Sequence, residues 1–395
     1  MCFAKQTCKR KKNNNQDYNN MDKSANRRII FLIVLLALSL IINVIILLPY
    51  TSTVLQKVEQ KLFPIPCYTK GTPDMEVLDK VCQATIELKG EIMASNEWRG
   101  IPSDLRTFYG LHSIPNTVCS YPLAFGLVGA SYYAASRNDS TSMNKLKKKA
   151  QEFIAADKGV LTYDIEYIDQ IPIGILYLNL YKWFKDPVYL KIAKQVYNRV
   201  KEFREPNGII MYRKGERQYC DVFGMYVPFL MEYFSVTKDS LAYKIADYNM
   251  EVYKSRGVDQ ETGIPFHGYN IHTGFPIGSA NWGRGIGWYL LGAAFCPQFN
   301  DERLNKSLSL LEYTQFPGSS ESFDSSTALM FEIYKQSKDK NRKLSLDFIK
   351  PHVLVNGFVD DCSGGTYDLN SYSHTFGESE LCNGLLLMLA SKFRN

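Results

Sequence analysis

Two stretches hold residue types that could handle an acidic sugar. Asn281-Trp-Gly-Arg-Gly-Ile-Gly-Trp-Tyr289 sets one guanidinium, Arg284, between two indoles, Trp282 and Trp288. Gln218-Tyr-Cys-Asp-Val-Phe-Gly-Met-Tyr-Val-Pro-Phe-Leu230 places one carboxylate, Asp221, ahead of an apolar run whose only charge through Phe234 is Glu232. Aromatic rings cover the apolar face of a sugar, and a guanidinium grips a carboxylate through two parallel hydrogen bonds. A carboxyl held at a cavity mouth and partly desolvated has a raised pKa and can deliver a proton. The bland alternative is a helix start packed by tryptophans, with Asp221 as an N-cap.

Asp169, in Tyr167-Ile-Asp-Gln-Ile-Pro-Ile-Gly174, stands in a similar place before another apolar helix. Its bland reading is again a cap. Two such acids one hairpin apart would face each other across the mouth of a helical ring, and their mutual repulsion would leave one as proton donor. Asp164 and Glu166 are less well-placed rivals. His267, in Pro265-Phe-His-Gly-Tyr-Asn270, reads equally as a loop histidine bonded to a sugar or as a solvent-exposed one. It has no further ligands at metal spacing, so neither a metal nor a cofactor is expected. Gly283-Arg-Gly-Ile-Gly287 follows no buried strand and is not a dinucleotide loop.

The elements that must position these residues are helical almost throughout. Apolar periodicity places helices near 75–94, 121–136, 142–155, 170–184, 187–203, 222–236, 239–256, 284–297, 301–314, 323–337, 340–350 and 376–392. Strand-like alternation is short, as at Gly208 to Tyr212. A weak repeat is visible. Lys185-Asp186 followed by Tyr189 and Ile192-Ala193 is echoed 53 residues later by Lys238-Asp239, Tyr243 and Ile245-Ala246. In each copy Asp can cap the next helix. About twelve helices in repeating hairpins predict an all-α fold, a closed (α/α)6 barrel over 75–395; an open solenoid would need more uniform repeats.

Ahead of the barrel, Ile29 to Leu48 is a run of 20 residues without a charge. At ~1.5 Å per residue it matches a bilayer core of about 30 Å, predicting a transmembrane helix. Residues 1–28 hold eight Lys or Arg against two Asp, which is the whole net excess of +6; the remainder carries 38 basic and 38 acidic residues. The basic tail fits topology rather than a nucleic-acid footprint. The expected arrangement is a cytoplasmic tail (1–28), an uncleaved signal-anchor (29–48), a tether (49–74) and a barrel on the periplasmic or extracellular side of a bacterial membrane. Cys67–Cys82 and Cys362–Cys382 are candidate bridges in such a compartment. The oligomeric state is not legible.

The His267 loop followed by the Arg284 segment resembles the unsaturated rhamnogalacturonyl hydrolases and, more distantly, the unsaturated glucuronyl hydrolases. Tyr219-Cys-Asp-Val-Phe-Gly-Met-Tyr-Val-Pro-Phe229 is similar to that family's segment around its acid, Asp169 with Gly174 to its second acid, and Ser325-Ser-Thr-Ala328 to its late Ser-rich helix start. The order runs from about Ser120 to Leu389. Tyr219 stands where the family usually has Trp, and Met211-Tyr-Arg-Lys214 where a His-Lys pair is usual. The resemblance implies an (α/α)6 barrel and removal of a terminal unsaturated uronic acid by hydration of its C4=C5 bond. It makes Asp221 the general acid/base and Asp169 its assistant, with His267, Trp282, Arg284 and Trp288 lining the site. The substrate would be an oligosaccharide or polysaccharide, acidic in character. Hydrolysis of saturated glycosidic bonds in an envelope polysaccharide, or non-catalytic glycan binding, are the alternatives.

Overall fold

In the computed structural model the described residues are 27–43, 66–88, 119–155, 158–212, 215–310, 323–339, 341–364, 369 and 376–394. The chain divides into two compact units, one built from residues 1–62 with 100–102, the other from 63–99 with 103–395.

In the larger unit, eleven α-helices are seen among the described residues: α1 Asp74–Glu87, α2 Tyr121–Ser136, α3 Ser140–Gln151, α4 Ile173–Phe184, α5 Pro187–Glu202, α6 Val222–Thr237, α7 Ser240–Arg256, α8 Gly283–Phe295, α9 Glu302–Leu310, α10 Ser325–Lys338 and α11 Glu380–Ser391. Their composition sorts them into two layers. α2, α4, α6 and α8 are apolar around most of their circumference, and α11 is buried along nearly its whole length. A helix buried on all sides belongs in the inner layer. α5 is amphipathic, burying Tyr189, Ile192, Ala193, Val196, Tyr197 and Val200 while its lysines face out, as an outer helix does.

The inner helices pack in a closed circuit: α2 on α4, α4 on α6, α6 on α8, α8 on α10, α10 on α11, and α11 back on α2. This is the expected six-hairpin toroid. α3, α5 and α7 back their preceding inner helices, and α1 closes the ring against α11 and α2. The closing contact requires glycine on both sides. A Cβ on Gly129 of α2 would stand 2.1 Å from the Gly384 carbonyl oxygen, and one on Gly384 would stand 2.0 Å from the Phe125 carbonyl oxygen.

The repeated Lys-Asp turn is real. Lys185 and Lys238 both end their helices in the left-handed conformation, with φ of 58° and 61°. Asp186 and Asp239 then cap α5 and α7, accepting from the amides of Val188 and Leu241.

Several expectations are corrected. Residues 341–349 form no α-helix; the chain there is irregular and ends in a 3-10 turn, Lys350–His352. Gly208 to Tyr212 is no strand but a turn bridged at Arg204 and Ile210. The barrel is not purely α. Short antiparallel strands β1 Ile154–Ala155 and β2 Val160–Leu161, β3 Arg217–Tyr219 with β4 Gly268–Asn270 and β5 Pro276–Ile277, and β6 Cys362–Ser363 with β7 Phe376–Gly377 decorate the loops. The end of the expected tether belongs to the fold: Tyr68 donates to the Val353 carbonyl and Val355 to that of Pro66. Cys82, Cys362 and Cys382 are in no disulfide, so neither candidate bridge is formed.

In the smaller unit, 27–43 is one helix with every residue exposed. The rest of the expected span, 44–48, the basic residues before 27 and most of the tether lie outside the described residues. No helix among the described residues is long and apolar enough to cross a membrane.

Candidate active site

The inner helices carry their N-terminal ends to one side of the ring, where the sequence motifs meet. Asp221 immediately precedes α6 but makes no capping hydrogen bond to it; the residue is in helical conformation, with φ −71° and ψ −27°. Its Oδ1 is buried with no hydrogen-bond partner among the described residues. A buried carboxylate oxygen left without a donor is costly unless something else is meant to meet it. Enclosure by protein is the main reason that the Asp221 carboxyl is pushed up to about 7, and the charge of Asp169 adds to the effect. Backbone amides at residues 221 and 222 and the Arg284 guanidinium offset part of it.

Asp169 sits in the 3-10 turn Ile168–Gln170 ahead of α4. Its Oδ2 accepts from the hydroxyl of Tyr212 at 2.6 Å. The sequence paired the two acids across the mouth, and the charge of Asp169 acts on Asp221 to raise its pKa. Asp164 and Glu166 are exposed.

The three-stranded sheet delivers the histidine. Pairing of Tyr219 with Gly268 continues one step further, with the Cys220 amide donating to the His267 carbonyl at 2.9 Å. His267 is therefore fixed beside the residue that precedes Asp221. It is buried, which decides against a solvent-exposed loop residue. Its ring lies 4.4 Å from that of Trp282 and 5.8 Å from that of Tyr219.

Arg284, in the first turn of α8, is buried with its guanidinium 5.8 Å from the Trp282 ring. Its Nη1 donates to the Ser363 hydroxyl at 2.8 Å and also to the Ser363 carbonyl. Trp288 does not join this group directly. One turn further along α8, it packs between Phe125 and Gly224, with Tyr121 edge-on at 5.5 Å, and forms the wall beneath the site.

Three members escaped sequence reasoning. Tyr121 opens α2 within electrostatic reach of Arg284, Asp169 and Asp221, and burial pushes its hydroxyl pKa upward. Tyr212 and Ser363 lie in irregular chain. Pro122 at the helix start signalled where α2 begins, but nothing local marks the other two.

This arrangement combines one carboxyl poised to give and take a proton near neutrality, a second acid held by a phenol, and a cation backed by an indole. On a six-hairpin barrel it defines a glycosidase, a hydrolase acting on O-glycosyl bonds. The sequence matches glycosyl hydrolase family 88 over residues 88–303, more than half its length, and the chain belongs to that family. That span contains all six residues singled out from the motifs. The fold is shared with solved structures of low identity. A possible family 105 glycoside hydrolase from Klebsiella pneumoniae superposes with a TM-score of 0.63 at 13% identity, covering 82% of this chain and 94% of its own. A family 105 glycoside hydrolase from Clostridium acetobutylicum gives 0.58 at 16% identity, covering 74% and 97%. An alpha-1,6-mannanase from Salegentibacter gives 0.51 at 15% identity, covering 80% and 98%.

Proposed function

We propose that this glycosidase removes an unsaturated uronic acid from the non-reducing end of an oligosaccharide by hydrating the sugar's C4=C5 enol ether. The observation that carries the reading is the Asp221 carboxyl, enclosed, pressed by Asp169 and raised to about 7. Such a group is populated as both acid and base near neutral pH, which the reaction requires of one residue.

In this scheme Asp221 gives its proton to C4, and positive charge develops at C5 and the ring oxygen. The acids Asp221 and Asp169 stabilise that charge. Asp221, now a carboxylate, takes a proton from a water as its oxygen adds to C5. The resulting hemiketal opens to a ketone at C5, and the hemiacetal left at C1 releases the remaining saccharide as an alcohol. Arg284 holds the sugar carboxylate, and Trp282 with His267 covers the ring face.

The test is the ultraviolet absorbance of the conjugated double bond in lyase-made disaccharides. Its loss on adding enzyme supports the proposal. Release of reducing sugar from a saturated polymer, with no change in that absorbance, would replace it with ordinary glycosidic hydrolysis across Asp169 and Asp221. Glycan binding without either signal would leave a non-catalytic module.

We further propose that residues 29–48 anchor the chain in a bacterial membrane, N-terminus in the cytoplasm and barrel beyond. The support is the uncharged run with its basic leader and the fully exposed apolar helix over 27–43. Alkaline carbonate should leave the protein in the membrane pellet; its release into the soluble fraction would remove the anchor.

A further inference from the structure

The cation of the site is held by residues outside the part of the chain matched to family 88. Asp324 caps α10 and is buried. Its Oδ1 accepts from the Ser326 amide at 3.1 Å, the Ser326 hydroxyl at 2.9 Å and the Ser363 amide at 3.2 Å. Its Oδ2 accepts from the Thr327 hydroxyl at 2.6 Å and the Ser363 hydroxyl at 3.0 Å. Five donors on two oxygens fill this carboxylate and fix its orientation.

The consequence passes through Ser363. A serine hydroxyl has one hydrogen, and here it points to Asp324. Its lone pairs are then left to accept from Arg284 Nη1 at 2.8 Å, while the Ser363 carbonyl accepts from Nη1 as well. Nη1 has two hydrogens, so that corner of the guanidinium is saturated. The Nε–H and the two Nη2 hydrogens make no hydrogen bond among the described residues. Together Nε and Nη2 form one of the two edges that can grip a carboxylate with parallel bonds. Asp324 thus stabilises the cation from one hydroxyl away and does not occupy the edge that an anion needs.

We infer that Asp324 and Ser363 are positioning residues that lock Arg284 with its Nε–Nη2 edge open to a substrate carboxylate, and so make the site select a uronic acid over its ester. This rests on the reading that a uronic acid occupies the mouth. It adds the device that enforces the choice. A guanidinium free to swing would keep its charge but lose the fixed two-bond geometry.

The test compares binding of a uronic acid monosaccharide and its methyl ester to the full chain by calorimetry, alongside Ser363→Ala, Ser363→Thr and Asp324→Asn. The wild type should bind the acid at least about tenfold more tightly than the ester. Ser363→Ala should lose most of that ratio, and Ser363→Thr, which keeps the hydroxyl, should restore it. On a substrate that is turned over, Ser363→Ala should raise KM about tenfold or more while kcat changes less than about threefold. Equal binding of acid and ester by the wild type, or an unchanged ratio in Ser363→Ala, overturns the inference. Should acid and ester differ as expected while no unsaturated uronide is ever hydrated, the hydration scheme fails and this assignment stands.

Discussion

Helix α6 carries an acid toward each end, Asp221 half-buried and Glu232 buried, and the two behave oppositely. Asp221 lies at the mouth and is pushed up to about 7, chiefly by burial and then by Asp169. Glu232, eleven residues on, lies where the helices reach the far end of the ring. Burial would raise it too, but Lys392 and Lys182 outweigh that and hold it at about 2. Lys182 sits 2.5 Å from Glu232 Oε2, and Lys392 meets Oε1. The difference lies in the company each acid keeps rather than in its depth. At the far end two ammonium groups neutralise the carboxylate and tie α4, α6 and the tail of α11 together. At the mouth Arg284, the one cation among the described residues that acts on Asp221, is engaged by Ser363, and the second acid repels. The first arrangement stabilises a fold, and the second keeps a proton available.

The sharpest way to break this comparison is Asp221→Asn. It should lower kcat by at least about 10³-fold while leaving sugar binding nearly intact, read by single-turnover absorbance and calorimetry. An active Asp221→Asn enzyme would end the assignment.

Glu232→Gln should do the reverse. The ion pairs are worth at most about 3 kcal/mol from the depressed pKa, and exposure of Lys182 reduces this, so a loss of roughly 1–3 kcal/mol is expected by denaturant unfolding, with kcat unchanged. Activity lost at constant stability would show that the far end is not merely structural.

Asp169→Asn should move the pH profile. Removing its charge lowers the Asp221 pKa, so the fall in kcat/KM expected of the wild type above about pH 7 should begin at lower pH. A shift of around one unit would be typical of one neighbouring charge.

The smallest effects are in stability against pH. Glu232 ionises below its ordinary value, so its contribution is complete above about 4.5 and is lost as pH falls toward about 2. Asp221 has the opposite sign: the unfolded chain gives up its proton near 3.8 and the folded chain near 7, so stability falls across that window. Asp221→Asn should flatten the second slope only and Glu232→Gln the first only, measured by unfolding midpoints from pH 3 to 8.

Much was legible before any coordinates. The closed ring of helices was expected from apolar periodicity, and the Lys-Asp repeat marked real left-handed turns. Asp221, Asp169, His267 and Arg284 were found because each sits beside a pattern that a helix start or a paired loop imposes. Trp288, which the resemblance put in the lining of the site, lies one turn beyond Arg284 and reaches it through Tyr121. One helical turn is enough to move a side chain from the mouth into the packed wall, where Gly224 leaves room for its ring. The helix expected at 340–350 did not form; Leu346 and Ile349 are buried from irregular chain, which leads into Val353 and Val355 and their long-range bonds to residues 68 and 66.

Sequence alone determined that helices would close a ring and pointed to an acid and a cation at helix starts, because periodicity and short motifs are local properties of the chain. Tertiary structure alone decided that Asp221 would be left without a donor while Glu232 gained two cations. It also decided that Tyr121, Tyr212, Asp324 and Ser363 would join the site. A pKa and a hydrogen-bond relay depend on which groups distant in the chain are brought within a few ångströms, and no local pattern encodes that distance.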